Sequence, residues 1–566
     1  MDTATISWRK PSAKRRRREV AAGLARLAMI AIVAAATASA QPAYAAPPGV
    51  ADVDVMDVPV RGGEPELAIN QLNPKNLLIG HTSVANTFAD ETALFGPFPC
   101  GFQSSFDAGR TWTSALDQTP CAALSFSEGP NSFLLGLGVS GANGFTLTSK
   151  GGGDQIAASA PDGAMYAGAV VAKVVFGGGP PFFFSVPQGA IVVARSTDGG
   201  LTFAPNSSVL SDQELQGMVN RGMNPSTTGF GVNPFDRPFI AVDQTTGVVY
   251  ITGTAHPQRY VVASHDKAQT WGLIEALDCD EMTPPDANHD VICGTFPESG
   301  GGGIAAAHGV LAAAYIAGAA PGRTCPCAVF ETSTDGGAHW SRHVVFDNLL
   351  AGSNVFVAAD TNHEGRFAVL LLPGHLVPGG LAGLPPSRNV PQEVEVVTTD
   401  DSGISWSSPA VLGNESVTHI TNRPWISYTS VLKHRGEDEP NHQQGSNGPA
   451  GVLAVLWRNA YPPYNPASFL VPGTQNVFTV ISRNNGKTFS APVQLNSAPS
   501  PPPDPLQVAE DDVSWVAVST EYVFGAWGDW RPTAGNPVAS PPSLPPSGEL
   551  NTWIGRASLN AFRGRD

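Results

Sequence analysis

The chain has 566 residues, of which 42% are hydrophobic and only 14% charged, enough to bury a large core. Its 48 acidic and 32 basic side chains give a net charge of −16, a surface that repels nucleic acid and anionic lipid and disfavours both as general partners. With 61 Gly and 50 Pro, and apolar residues almost nowhere at helical spacing over three turns, it calls for many short elements joined by tight turns.

Residues 1–45 read as a signal peptide. Arg9, Lys10 and the run Lys14 to Arg18 make a basic start, and an apolar stretch follows from Leu24 to Ala38. Small residues then suit cleavage at Ala38-Ser39-Ala40 or Ala43-Tyr44-Ala45. The apolar run is too short to span a bilayer comfortably, so the expectation is a secreted or periplasmic protein with no stable membrane anchor after cleavage. Arg17-Arg18 before Glu19-Val20 resembles a twin-arginine signal. Loss of this segment removes eight basic and two acidic side chains and leaves a net charge of −22. An anionic ligand then needs a local cluster of Arg or Lys. Six Cys fit an oxidising compartment. Cys100 with Cys121 and Cys279 with Cys293 are the preferred disulfide pairs; Cys325 and Cys327 are left as a local bridge or a metal pair.

Six segments downstream share one pattern: Ser or Thr, any residue, Asp, any, Gly, any, Thr or Ser, aromatic. They are Ser105 to Trp112, Ser196 to Phe203, Ser264 to Trp271, Ser333 to Trp340, Thr399 to Trp406 and Ser482 to Phe489. Ala268 replaces the Gly in the third and Asn484 the Asp in the sixth. Asp in such a turn accepts hydrogen bonds from nearby backbone N–H groups, Gly supplies a positive φ, and the aromatic buries itself between neighbouring sheets. These Asp residues are therefore structural. The motif resembles the Asp box, or bacterial neuraminidase repeat, of sialidases and related propellers, and the resemblance covers roughly residues 50–560.

Each unit opens with a strand, a turn and a more apolar strand, as in Glu64 to Asn70 followed by Asn76 to Gly80. Equivalent starts fall near Gln155, Arg237, Gly303, Asn354, Arg423 and Asp512. The expectation is one domain, residues 46–566: an all-β propeller of four-stranded blades, seven preferred and six the alternative. Catalytic domains of sialidases have six. The seventh unit lacks a fourth strand, and Val53 to Val58 is placed to supply it and close the ring. Long insertions fall mainly in the loops opposite the repeated turns, which makes that the functional face.

The resemblance to sialidases implies three Arg on a sugar carboxylate, a Tyr nucleophile with a Glu partner, and an Asp acid/base. Arg237 and Arg423 open inner strands, and Arg458 and Arg531 lie where second strands end, so these four are the candidate clamp. Pairing of the same Arg with Asp is the competing structural reading. Tyr428, Glu66 and Asp529 are the candidate catalytic groups. Asp278, Asp280, Asp286, Asn288 and Asp290 crowd one loop that resembles the start of a calcium site, although Val291 stands where Gly is expected. No other cofactor is indicated. The function implied is sialidase-type hydrolysis or binding of an extracellular glycan or glycoprotein; the alternative is a non-catalytic carbohydrate- or protein-binding propeller at the cell surface.

Overall fold

The computed structural model describes residues 49–55, 61–84, 101–114, 117, 119–120, 146–147, 153–176, 184–204, 207–210, 236–255, 258–272, 274–277, 302–317, 326–347, 349–350, 353–374, 393–413, 419–429, 451–461, 473–502, 513–531 and 550–562. They form seven small antiparallel sheets, the blades of a seven-bladed β-propeller. The inner strands are Arg61–Ile69, Gly153–Ser159, Asp236–Val242, Gly303–Ala307, Asn354–Ala359, Ile420–Tyr428 and Trp515–Val518. Each lies against the inner strand of the next blade, and the seventh lies against the first. The first blade has three described strands, and Thr146–Leu147 adds a short strand beside Met165–Phe176 in the second.

Second strands such as Val310–Ala317 and Phe367–Leu372 are buried at every residue. Neighbouring blades cover both faces of the sheet, so the sequence there is a continuous apolar run. The outer strand Ser341–Phe346 has neighbours on fewer sides and is half-exposed. Cys327 opens a third strand, buried and disulfide-bonded; the other five Cys lie outside the described residues.

The six repeated turns share one hydrogen-bond scheme. The N–H of the Gly position, Ala268 included, donates to the first hydroxyl at 2.8–2.9 Å. The N–H four residues after the Asp position donates to its side-chain oxygen at 2.8–2.9 Å. In the fourth turn the His339 ring replaces a hydroxyl, with Nδ1 2.6 Å from Asp335. In the sixth the polarity inverts: Asn484 Nδ2 donates to Thr488 Oγ1, where a carboxylate elsewhere accepts.

Gly is needed here for two reasons. The φ angles of these glycines run from +72° to +103°. A Cβ would also strike the preceding blade: Val261 at 2.7 Å from Gly337, Phe330 at 2.8 Å from Gly403, and Thr398 at 2.9 Å from Gly486. The closing aromatics are half-buried on the same seam, as where Trp406 meets Phe330 edge-on at 5.0 Å.

The turns after the inner strands stitch the same face. Asn70 Nδ2 donates to Gly163 O in the second blade. Asp243 accepts Gly309 N–H from the fourth blade, and Asp360 accepts Gly451 N–H from the sixth. Burial pushes the Asp243 carboxyl up, but donors from Thr245 and Gly309 outweigh it and hold it below its ordinary value.

The ring closes through Val50–Asp54, which pairs antiparallel with Asn551–Ser558. This strand starts three residues before the expected Val53 to Val58; residues 56–60 lie outside the described residues. In the observed register Asp52 reaches Arg531 at 2.6 Å, and Asp54 accepts from Asn551. Arg531 also bonds Asp529 at 2.9 Å and lies 3.9 Å over the Trp553 ring.

Two predictions follow from these contacts. Arg531→Ala leaves the buried Asp52 and Asp529 carboxylates without their cation and should cost about 3–5 kcal/mol; urea unfolding measures the loss, and hydrogen exchange should speed up in Val50–Asp54. Thr270 and His339 hold Asp266 and Asp335 down to about 2. Because the folded values are depressed, their contribution is present above pH ~4 and lost as pH falls through about 2. A pH series of melting temperatures should show this fall, and Asp266→Asn with Asp335→Asn should reduce it.

Candidate functional site

The seven inner strands align on the residue that opens the following turn: Asn70, Ala160, Asp243, His308, Asp360, Thr429 and Ser519. In six of them that residue donates its N–H back across the turn to the start of the second strand. Four positions before it stand Phe239, Phe356, Trp425 and Trp515 in four blades, Ile156 and Ile304 in two, and Glu66 in the first. This height forms an aromatic layer at the axis. Trp425 stacks on Trp515 with ring centres 3.7 Å apart, and Phe356 and Phe239 flank Trp425 at 4.7 and 5.6 Å. Beneath it lies a cavity of about 200 Å³.

Above the layer, four inner strands carry a bulge at one height, between Gly63 and Glu66, Gly153 and Ile156, Asp236 and Phe239, and Asn422 and Trp425. Three of them contain Pro65, Pro238 and Pro424. Proline cannot donate to the ladder, and a bulge accommodates that loss while re-aiming the preceding side chain. Glu64 and Arg423, each just before Pro, have φ of +50° and +46°, a conformation L side chains resist. Arg237 and Arg423 therefore hold equivalent positions over the layer. Arg423 is buried; the side chain of Arg237 lies outside the described residues, as does the whole 278–290 loop proposed for calcium.

The remaining candidates are tied elsewhere. Arg458 is fully buried, with Nε donating to Ser514 Oγ at 2.7 Å and Nη2 to Val513 O at 3.0 Å, so it joins the sixth blade to the seventh. Arg531 belongs to the ring closure. Asp529 accepts from Trp527 Nε1 and from both Nε and the backbone N–H of Arg531. This arrangement makes it a buried acceptor, in place of the expected acid/base. Glu66 sits in the axial layer, where its Oε2 accepts Ala157 N–H from the second blade at 3.0 Å.

Tyr428 stands at the opposite end of its strand from Arg423, which corrects its assignment as a nucleophile beside the clamp. Its hydroxyl donates to Asn485 Oδ1 at 2.6 Å, in the sixth repeated turn. Burial, then the nearby Asp360, push the phenol well above its ordinary value, so it stays protonated. Asn485 also donates to Asp400, which pairs with Arg366, and Arg366 reaches Asp360. Another Tyr–Glu pair, Tyr315 with Glu331 at 2.7 Å, joins the second and third strands of the fourth blade, off the axis.

Sequence reasoning missed the aromatic layer. Its signal was present, but only in a register of all seven inner strands against their turn residues.

No family model matches the chain, and no curated protein matches it. Among solved structures it is similar to a Hadza microbial sialidase, with TM-score 0.39 and 15% identity over 74% of this chain and 69% of that one. It is similar to the α-L-arabinanase of Penicillium chrysogenum solved with arabinobiose, with TM-score 0.35 and 14% identity over 71% and 92%. The NanB sialidase from Streptococcus pneumoniae gives 0.33 and 11% over 92% and 71%. These likenesses assign no residue a role.

Tyr428→Phe should cost about 1 kcal/mol of stability, the worth of one buried hydrogen bond. Denaturant unfolding measures it. Ligand binding on the opposite face should be unchanged; a loss there would restore Tyr428 to the site.

Proposed function

We propose that this protein is an exported, glycan-binding propeller whose sugar site lies over the axial aromatic layer, on the face away from the repeated turns. The observation that carries this reading is the Trp425–Trp515 stack flanked by Phe239 and Phe356, beneath the inner-strand bulges. A pyranose presents apolar C–H faces to aromatic rings and hydroxyls to a polar rim, and aromatic side chains give large contact area at low entropic cost. Arg423 brings a buried cation to the bulge over this layer, and Arg237 holds the matching backbone position in the third blade. Export rests on the signal pattern of residues 1–45.

Sialidase-type hydrolysis is the second reading, favoured by that matched pair of Arg. It requires a nucleophile other than Tyr428 and an acid other than Asp529, since both are tied into the scaffold.

Titration calorimetry of the purified protein against neutral and sialylated oligosaccharides, beside hydrolysis of a fluorogenic sialoside, separates the two. Glycan binding should be saturable, and Trp425→Ala should weaken it about tenfold or more, equivalent to about 1.4 kcal/mol. Urea unfolding of the variant serves as the folding control. Sialoside turnover that is lost in Arg237→Ala/Arg423→Ala would establish hydrolysis instead. Absence of both binding and turnover would remove the glycan reading.

A further inference from the structure

Two residues below the aromatic layer, on the same side of each inner strand, stand Ala68, Ala158, Ala241, Ala306, Ala358, Ser427 and Ala517. Six Ala and one Ser at one height around the axis leave the space that larger side chains close above. The cavity of about 200 Å³ occupies it, with its walls given mainly by the inner strands of the third to sixth blades. Trp425 and Trp515 stand at one end of the lining. Gln71, Gln244 and Thr361, from the turns after the inner strands, stand at the other.

Among the described residues, no Asp, Glu, Lys, Arg or His side chain lines this space. An ionic occupant would lose its hydration with no counter-charge to replace it. An uncharged one of modest size fits: an engineered apolar cavity of about 150 Å³ takes up benzene. One polar group has work left over. Gln244 Nε2 donates to Ser159 O at 2.8 Å and to Val242 O at 3.2 Å, while its Oε1 is buried with no hydrogen-bond partner among the described residues. A buried acceptor left unpaired costs about 1–3 kcal/mol, so a donor arriving in the cavity gains by filling it.

We propose that the axial cavity is a second binding site, for an uncharged single-ring molecule carrying one hydrogen-bond donor. The ligand enters from the repeated-turn face, between Gln244 and Thr361, and its donor meets Gln244 Oε1. The aromatic layer separates it from the sugar site, so the proposal stands whether or not a glycan binds above.

The test is titration calorimetry of the full protein at neutral pH with phenol as the probe, toluene as its donor-free counterpart and benzoate as its charged one. Phenol should bind saturably at one site, toluene more weakly, and benzoate at least about tenfold more weakly than phenol. Ala306→Leu and Ala241→Leu, which fill the cavity from two blades, should each abolish phenol binding with the melting temperature retained. Gln244→Leu should remove the preference for phenol over toluene while leaving both bound. That variant decides the matter if the two filled variants fail to fold. Absence of saturable phenol binding, equal binding of benzoate, phenol binding that survives both folded filling variants, or an unchanged preference in Gln244→Leu would each overturn the proposal.

Discussion

Close approach of each repeated turn to the blade before it sets the geometry of the ring. Gly337, Gly403 and Gly486 leave no room for a Cβ against the third strand of the preceding blade, and their φ angles lie where only Gly is at ease. Ala268 occupies the same place at φ +65° and is tolerated once. With six wedges of one shape, successive blades rotate by similar amounts, and the side-chain bridges from Asn70, Asp243 and Asp360 lock adjacent turns at that rotation. Asp243 and Asp360 are thus engaged in construction.

The same economy explains why most of the expected clamp is not free to bind. Arg458 satisfies the ends of the seventh blade, and Arg531 holds the closing strand to it. Such pairs are costly to break, because a partner left buried alone retains its full desolvation penalty. What the fold presents at the axis is a set of π faces, beneath bulges that hold the backbone of Arg237 and Arg423 at equivalent positions. Along the axis a layer of large rings stands above a layer of small residues, with the cavity between them and the turns.

Legibility in the sequence follows the range of the interactions involved. The six turns were readable because Asp, Gly and the aromatic act within eight residues of each other. Inner strands were readable from their shared turn; Arg237 does stand at the start of its strand, whereas Arg423, expected to open one, is the fourth residue of Ile420–Tyr428. Tyr428 was misread because a strand carries its two ends to opposite faces, which sets Tyr428 at the turn end of Ile420–Tyr428. The ties of Arg531 depend on Asp52, hundreds of residues upstream, and no local pattern announces such a pair. Glu66 looked like a spare carboxylate because its partner, the N–H of Ala157, belongs to another blade.

The closing strand also sets an order of events. Val50 pairs with Ala557, so the contact that completes the ring spans almost the whole described chain. Blades two to six can each form from neighbouring residues, a local and therefore fast process. The seventh blade stays one strand short, with an unpaired edge, until Val50–Asp54 docks beside Asn551–Ser558. Until then the partly folded chain exposes a template for intermolecular pairing. Slow closure after rapid blade formation would make Val50–Asp54 the segment through which two chains exchange strands at high concentration.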